Sequence, residues 1–141
     1  LTRKLMRIGL DNIYGYISDV NDLSIELQTA DVISLDEFKT YIGKDDNVQI
    51  VDVRGVTEYE AGHVAGAENV FVGTLQDNFD KISIDKQVVI HCQAGDRSAV
   101  AYSLLAKNGF QNVKNFSGGM KEWLACEGKT IACKEAPCVN A

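Results

Sequence analysis

The chain has no long apolar run, few cysteines and no excess of positive charge. No hydrophobic stretch approaches the ~18 residues of a membrane span, and the first residues lack the apolar core of a signal peptide. Four cysteines among 141 residues are too sparse for a disulfide-stapled secreted domain. A net charge of −6 argues against general affinity for nucleic acids or anionic lipid surfaces. These absences argue against a membrane segment within these residues and predict a reducing, cytoplasmic setting.

The composition that is present is that of a globular domain. A hydrophobic fraction of 45% and a charged fraction of 24% are ordinary, and the length suits one domain with a core. We expect residues 31–127 to form this domain, residues 1–30 to be an N-terminal extension or linker, and residues 128–141 to be a C-terminal tail. Since residue 1 is leucine rather than methionine, we expect the chain to be part of a longer protein.

One stretch combines a strand, a tight turn and the start of a helix. Val88–Ile90 is short and β-branched, which is typical of a strand buried on both faces. Apolar residues then recur at helical spacing and predict a helix from about Arg97 to Asn108, with Gly109 just beyond it. Cys92 therefore lies between the end of a strand and the N-terminus of a helix.

This position makes Cys92 a candidate nucleophile. Unpaired N–H groups at the helix N-terminus and the helix dipole favour its thiolate, and Gly95 lets the loop fold back with its amides pointing inward. Arg97 is unfavourably placed with respect to the dipole, so we expect an anion close to it. In the alternative interpretation Cys92 is a buried structural cysteine, Asp96 an ordinary N-cap and Arg97 a solvated side chain.

His91 suggests a catalytic Cys–His pair, because a general base commonly activates a thiol. However, adjacent residues of a strand point to opposite faces of the sheet. The His91 ring should therefore point away from the Cys92 sulfur, which argues against cysteine protease chemistry.

The loop Cys92–Ser98 resembles the active-site loop of rhodanese-type sulfurtransferases, C-x4-R-S, in which the cysteine carries sulfur as a persulfide. Related phosphatases of the same fold use a loop one residue longer, C-x5-R, to hold phosphate, so the short loop favours sulfur. The resemblance implies that Cys92 and Arg97 are catalytic. It also implies a substrate-binding loop made of Gln93, Ala94, Gly95, Asp96 and Ser98.

Asp52–Asn69 matches the rhodanese pattern D-V-R-x3-E-[YF]-x2-G-H-[IV]-x-G-A-x-[NH] at every defined position. The resemblance implies that these residues brace the active loop, with Asp52 and Arg54 in a polar network. We expect His63 to satisfy buried backbone groups. A role for His63 as a metal ligand is the alternative, but no second histidine or acidic cluster has suitable spacing.

The rest of the chain alternates between helix and strand patterns. The predicted elements are a helix capped by Ser34 and reaching Ile42, a strand at 49–53, a helix at 74–82, a strand at 112–116 and a last helix after Ser117. This order predicts an α/β fold around a mainly parallel sheet. The start of the last helix resembles the motif G-G-[MFW]-x2-W near the C-terminal end of the family's domains. We expect Met120, Trp123 and Leu124 to be core residues. The resemblance implies a rhodanese-like three-layer domain.

Two further features concern the ends of the chain. Arg7–Tyr16 resembles the junction of proteins in which a metallo-β-lactamase-like domain precedes a rhodanese domain, which implies an upstream persulfide-oxidising partner domain. We expect Cys126, Cys133 and Cys138 to be passive thiols, and the alternative for the C-x4-C pair Cys133 and Cys138 is a zinc site, for which the pair is weak evidence. In a third hypothesis, Cys133 or Cys138 accepts sulfur from Cys92 or resolves it as a disulfide.

The sequence thus predicts a sulfurtransferase that moves a sulfane sulfur from thiosulfate or a small persulfide, through a Cys92 persulfide, to a thiol, cyanide or sulfite. This exchange needs no metal or organic cofactor, and we expect no nucleic-acid or membrane partner. Two alternatives stay open. One is a non-catalytic sulfur-relay or docking module of a fusion enzyme, and the other is a phosphatase or arsenate reductase on the same fold.

Overall fold

The computed structural model describes residues 12, 14–25, 28–43, 46–126 and 129–131. Cys133, Cys138 and most of the Arg7–Tyr16 junction lie outside the described residues, so the expectations for them stay predictions. In the part of the chain that the structure describes, no helix is both long and apolar enough to cross a membrane.

Helices and strands alternate along the chain, as the sequence predicts. The helices are α1 (Leu35–Tyr41), α2 (Val56–Ala61), α3 (Asp96–Lys107) and α4 (Gly119–Ala125), and the strands are β1 (Val48–Asp52), β2 (His63–Val64), β3 (Ala67–Asn69), β4 (Gln87–His91), β5 (Val113–Phe116) and β6 (Thr130–Ile131). Two 3₁₀ helices, Val20–Asp22 and Val72–Lys81, complete the described elements.

The central sheet is parallel and has the strand order β3-β1-β4-β5. Asp52, the last residue of β1, is in register with Asn69 of β3 and His91 of β4, and His91 is in register with Phe116 of β5. The carboxyl ends of all four strands therefore meet at one edge, where open α/β folds bind their ligands.

The strand β4 is buried on both faces, as its short β-branched sequence predicts. Val88, Ile90 and Cys92 belong to the hydrophobic cluster on one side of the sheet, and Val89 belongs to the cluster on the other side. His91 is fully buried on that second side, where its ring packs edge-on against Phe38. The prediction that His91 and Cys92 point to opposite faces is confirmed.

The helix α1 begins as predicted. The side chain of Ser34 accepts a hydrogen bond from the backbone N–H of Glu37 at 3.2 Å. The helix ends at Tyr41, and Gly43 has a φ of 71°, a left-handed conformation that glycine adopts without strain.

Two predictions about the helices were wrong in detail. The predicted helix at 74–82 is a 3₁₀ segment interrupted at Asn78, whose φ of −132° is not helical and whose side-chain amide donates to the Thr74 carbonyl oxygen. Leu124 is 52% exposed rather than core. The buried face of α4 contains Gly119, Met120 and Trp123. At about 100° per residue, Leu124 lies only about 40° from Met120 but about 100° from Trp123, so it is at the edge of this face and remains half-exposed.

The described part of the predicted C-terminal tail is attached to the domain. Thr130 and Ile131 form β6, which pairs antiparallel with β2. In addition, the indole N–H of Trp123 donates to the carbonyl oxygen of Lys129 at 3.2 Å. The boundaries at residues 31 and 127 stay predictions.

Candidate active site

Cys92 follows β4 directly and lies just before α3, with 1% of its surface exposed. The N–H of Gly95 donates a hydrogen bond to the Cys92 sulfur over 3.1 Å. Gly95 is the N-cap of α3 and has a φ of 98°, and a Cβ at this position would lie 2.6 Å from the Ser117 carbonyl oxygen. Only glycine fits both the left-handed conformation and the close contact, so this residue closes the loop around the sulfur.

Hydrogen bonds to the sulfur favour the thiolate form of Cys92. Burial raises the pKa of Cys92, but hydrogen bonds from the Ser98 hydroxyl and from the backbone N–H groups of Ser98, Ala94 and Gly95 outweigh it, so the pKa lies below its ordinary value. Ser98 is fully buried, and its hydroxyl also lies 3.0 Å from the Gly95 carbonyl oxygen. Because a hydroxyl has one proton, ionisation of Cys92 draws that proton toward the sulfur.

The start of α4 holds the outer side of the loop. The N–H groups of Met120 and Lys121 donate to the carbonyl oxygens of Cys92 and Gln93, each over 2.9 Å. In a trans peptide the C=O and N–H groups point in opposite directions, so the Ala94 N–H points back to the sulfur. Gly119 permits this contact, because a Cβ on it would lie 2.4 Å from the Cys92 carbonyl oxygen.

Arg97 is bound by a carboxylate of the protein itself. Its two terminal nitrogens donate to Glu58, from Nη1 to Oε2 over 2.5 Å and from Nη2 to Oε1 over 2.8 Å. Glu58 Oε2 also accepts the N–H of Gly55 over 3.2 Å at the start of α2. The hydrogen bonds from Arg97 lower the pKa of Glu58 to about 2. The anion expected near Arg97 is therefore Glu58, and Arg97 is not a freely solvated side chain.

Glu58 had no predicted role of its own, although it is the glutamate of the motif at Asp52–Asn69. Its pairing with Arg97 joins residues 39 positions apart. Two features of the sequence could have predicted this ion pair. Arg97 is a cation at the unfavourable end of a helix, and the motif places the acidic Glu58 after a strand that ends at the same sheet edge.

Asp52 and Arg54 form a buried ion pair behind the loop. Arg54 Nη2 lies 2.7 Å from Asp52 Oδ2, and the side chains are 5% and 0% exposed. Arg54 also donates to the Gly62 carbonyl oxygen over 2.8 Å and to the side-chain oxygen of Gln93 over 3.4 Å. This is the polar network that the family resemblance implies, and it connects β1 to the loop that follows β4.

The two histidines make structural contacts. His63 is buried, its Nδ1 donates to the Tyr59 carbonyl oxygen over 2.9 Å, and its ring stacks on Tyr59. These contacts match the expectation that His63 satisfies a buried backbone group. Burial lowers the pKa of His91, and its Nε2 lies 3.9 Å from Asp52 Oδ2, on the side of the sheet away from the Cys92 side chain.

The remaining loop residues face solvent. Gln93, Ala94 and Asp96 are exposed at the mouth of the loop, above the buried Cys92. The site therefore combines a buried cysteine whose pKa is lowered, several backbone donors aimed at its sulfur and a half-exposed ion pair beside it. Such a site can attack an electrophilic atom and then stabilise negative charge on the atom it has gained.

The comparison with protein families agrees with this geometry. The model of the rhodanese-like domain matches residues 34–126. The chain belongs to the rhodanese family. The match includes both motifs at the sheet edge, so the Cys92 loop and the Asp52–Arg54 network belong to one rhodanese domain.

Curated and solved rhodanese relatives cover the same region. The candidate sulfur carrier protein YrkF of Bacillus subtilis is 34% identical over 98 residues, which are 70% of this chain and 51% of YrkF. The thiosulfate:glutathione sulfurtransferase of Saccharomyces cerevisiae is 28% identical over 112 residues, covering 70% of this chain and 81% of the yeast enzyme. The crystal structure of SSP1007 from Staphylococcus saprophyticus has 35% identity and a TM-score of 0.60, covering 66% of this chain and 92% of that one. The chain thus spans about half the length of YrkF.

Proposed function

We propose that this rhodanese domain is a sulfurtransferase that carries a sulfane sulfur as a persulfide on Cys92. The observation that carries this proposal is the short loop of four residues between Cys92 and Arg97, with the Gly95 N–H 3.1 Å from the Cys92 sulfur. The similarity to a yeast enzyme named thiosulfate:glutathione sulfurtransferase supports the same chemistry. The loop length supports transfer of sulfur rather than phosphate.

In the first half-reaction, the Cys92 thiolate attacks the outer sulfur of an anionic donor such as thiosulfate. A new S–S bond forms to Cys92, the donor's S–S bond breaks, and sulfite leaves with the electron pair. The Cys92 persulfide keeps one negative charge on its terminal sulfur. The N–H groups of Ala94, Gly95 and Ser98, which already stabilise the thiolate, are positioned to hold this charge.

In the second half-reaction, an acceptor removes the terminal sulfur. A thiolate, cyanide or sulfite attacks that sulfur, the S–S bond to Cys92 breaks, and the Cys92 thiolate leaves. The lowered pKa makes Cys92 a better leaving group and raises the fraction of it that is present as thiolate. The two steps exchange one sulfur atom and consume no external oxidant or reductant, so the kinetics should be ping-pong.

Mass spectrometry of the reduced chain after incubation with thiosulfate, and separately with glutathione persulfide, tests the proposal. We expect the Cys92 peptide to gain one sulfur atom and to lose it on addition of cyanide or a thiol. Cys92→Ser should gain none, whereas Cys126→Ser, which removes an exposed cysteine, should behave as the unaltered chain does. If neither donor adds sulfur to Cys92 in the folded chain, the proposed function is wrong.

A further inference from the structure

The guanidinium of Arg97, which borders the Cys92 loop, is already paired with the carboxylate of Glu58. Both terminal nitrogens of Arg97 are bound to the Glu58 carboxylate, and the side chains are 34% and 39% exposed. The Gly55 N–H binds Glu58 Oε2 as well and fixes the carboxylate on α2. A donor that needs Arg97 must therefore share the guanidinium with a carboxylate that is already in place.

The other charges of the two loops do not supply a free cation. The positive charge of Arg54 is bound by Asp52 in the interior, and the exposed Asp96 adds a negative charge next to Arg97 in the sequence. In the described segments 52–58 and 92–98, three acidic side chains therefore outnumber two basic ones. The stabilisation of a bound anion then depends on the backbone N–H groups around the sulfur, which suit one charged sulfur atom.

We infer that Glu58 determines which class of sulfur donor the site takes, by favouring monoanionic donors such as persulfides and thiosulfonates over dianionic thiosulfate. This inference rests on the proposed function. A persulfide carries its reacting charge on the terminal sulfur, where the loop amides are. Thiosulfate brings additional charge on its sulfonate, which must either displace Glu58 from Arg97 or lie beside the carboxylate. Both arrangements cost binding free energy, because like charges repel and a made ion pair is lost.

Thiosulfate and methanethiosulfonate are the donor pair that tests this inference. Methanethiosulfonate has a methyl group where thiosulfate has one charged oxygen, so it carries one negative charge instead of two. Each gives the same Cys92 persulfide, with sulfite or methanesulfinate as the leaving group. The measurement is kcat/KM for both donors, with cyanide as the acceptor. Glu58→Gln removes the charge but keeps a side-chain oxygen that can accept the Gly55 N–H, so we expect this variant to fold.

In Glu58→Gln we expect kcat/KM for thiosulfate to rise about fivefold relative to that for methanethiosulfonate, since removal of one neighbouring unit charge in a hydrated site has an effect of about this order. This change should come mainly from a lower KM for thiosulfate, with kcat nearly unchanged. Glu60→Gln is the matched control, because it removes the same charge from an exposed position of the same helix. Its donor ratio should equal that of the unaltered chain.

An equal loss of rate with both donors in Glu58→Gln would overturn the inference, because Glu58 would then only hold Arg97 in position. An unchanged donor ratio would overturn it too. Failure of the proposed function is distinguishable, since in that case the unaltered chain would form no persulfide with either donor.

Discussion

The two arginines at the sheet edge make similar ion pairs in different surroundings. Arg54 and its partner Asp52 are 5% and 0% exposed at the side chain, whereas Arg97 and Glu58 are 34% and 39% exposed. A buried pair that loses one partner leaves an uncompensated charge in the interior, whereas a half-exposed pair is screened by water. The first pair therefore supports the fold, and the second is free to influence which molecule enters the site.

The largest difference between the two pairs should be in stability. Arg54→Ala leaves the carboxylate of Asp52 buried without its partner, and we expect the free energy of unfolding to fall by about 3–5 kcal/mol. Arg97→Ala should lower it by about 0–1 kcal/mol, because its pair is screened. Urea denaturation followed by circular dichroism measures both values. Equal losses in the two variants would show that exposure does not separate the two pairs.

A second test compares two left-handed glycines, of which only Gly119 contacts the Cys92 loop. Gly119→Ala forces a side chain into a left-handed residue and places a Cβ against the Cys92 carbonyl oxygen, so we expect the rate of persulfide formation to fall at least about tenfold. Gly43→Ala is the control, because Gly43 is also left-handed but a Cβ on it would have no contact within 4 Å among the described residues. This control should lose about 1–2 kcal/mol of stability and keep its rate. Equal rates in both variants would contradict a role for α4 in shaping the loop.

The smallest effect concerns the ionisation of Cys92. Thiolate absorbance at 240 nm, measured against Cys92→Ser, should titrate below the ordinary pKa of cysteine. Because folding lowers this pKa, ionisation of Cys92 stabilises the fold above the unfolded value, and this contribution disappears as pH falls through the folded value. The rate of persulfide formation should rise with pH through the same lowered pKa and then level off.

Ser98→Ala should move this titration to higher pH, because it removes a hydrogen bond to the sulfur. Ser103→Ala, on the same helix, removes a hydroxyl that bonds only to the Ala99 carbonyl oxygen among the contacts of the described residues, and should leave the titration unchanged. An identical midpoint in Ser98→Ala and the unaltered chain would show that the backbone amides alone lower the pKa.

Local patterns predicted the part of the site that the chain builds from neighbouring residues. The β-branched run before Cys92, the alternation between His91 and Cys92, and the glycine of the loop all act over a few positions, and the structure contains each of them. The parallel sheet was predictable because strand and helix patterns alternate along the chain. Family resemblance added the polar network of Asp52 and Arg54.

Features that depend on distant parts of the chain were not predictable in this way. The bond between Glu58 and Arg97 spans 39 positions and leaves no periodic pattern in the sequence. The exposure of Leu124 depends on how α4 rotates over the sheet, and the break at Asn78 depends on a side chain competing for a backbone carbonyl. The first two features depend on tertiary contacts, whereas the break at Asn78 is a local side-chain contact that helical spacing alone does not show.

The hydrogen bonds from Met120 and Lys121 to the Cys92 loop also concern the order in which the protein matures. The loop amides converge on the sulfur only after residues near the end of the domain have been synthesised and have docked. Until then Cys92 has the surroundings of an unfolded thiol and lacks the activation that the finished loop supplies. The lowered pKa of Cys92 is thus acquired together with the fold and not before it.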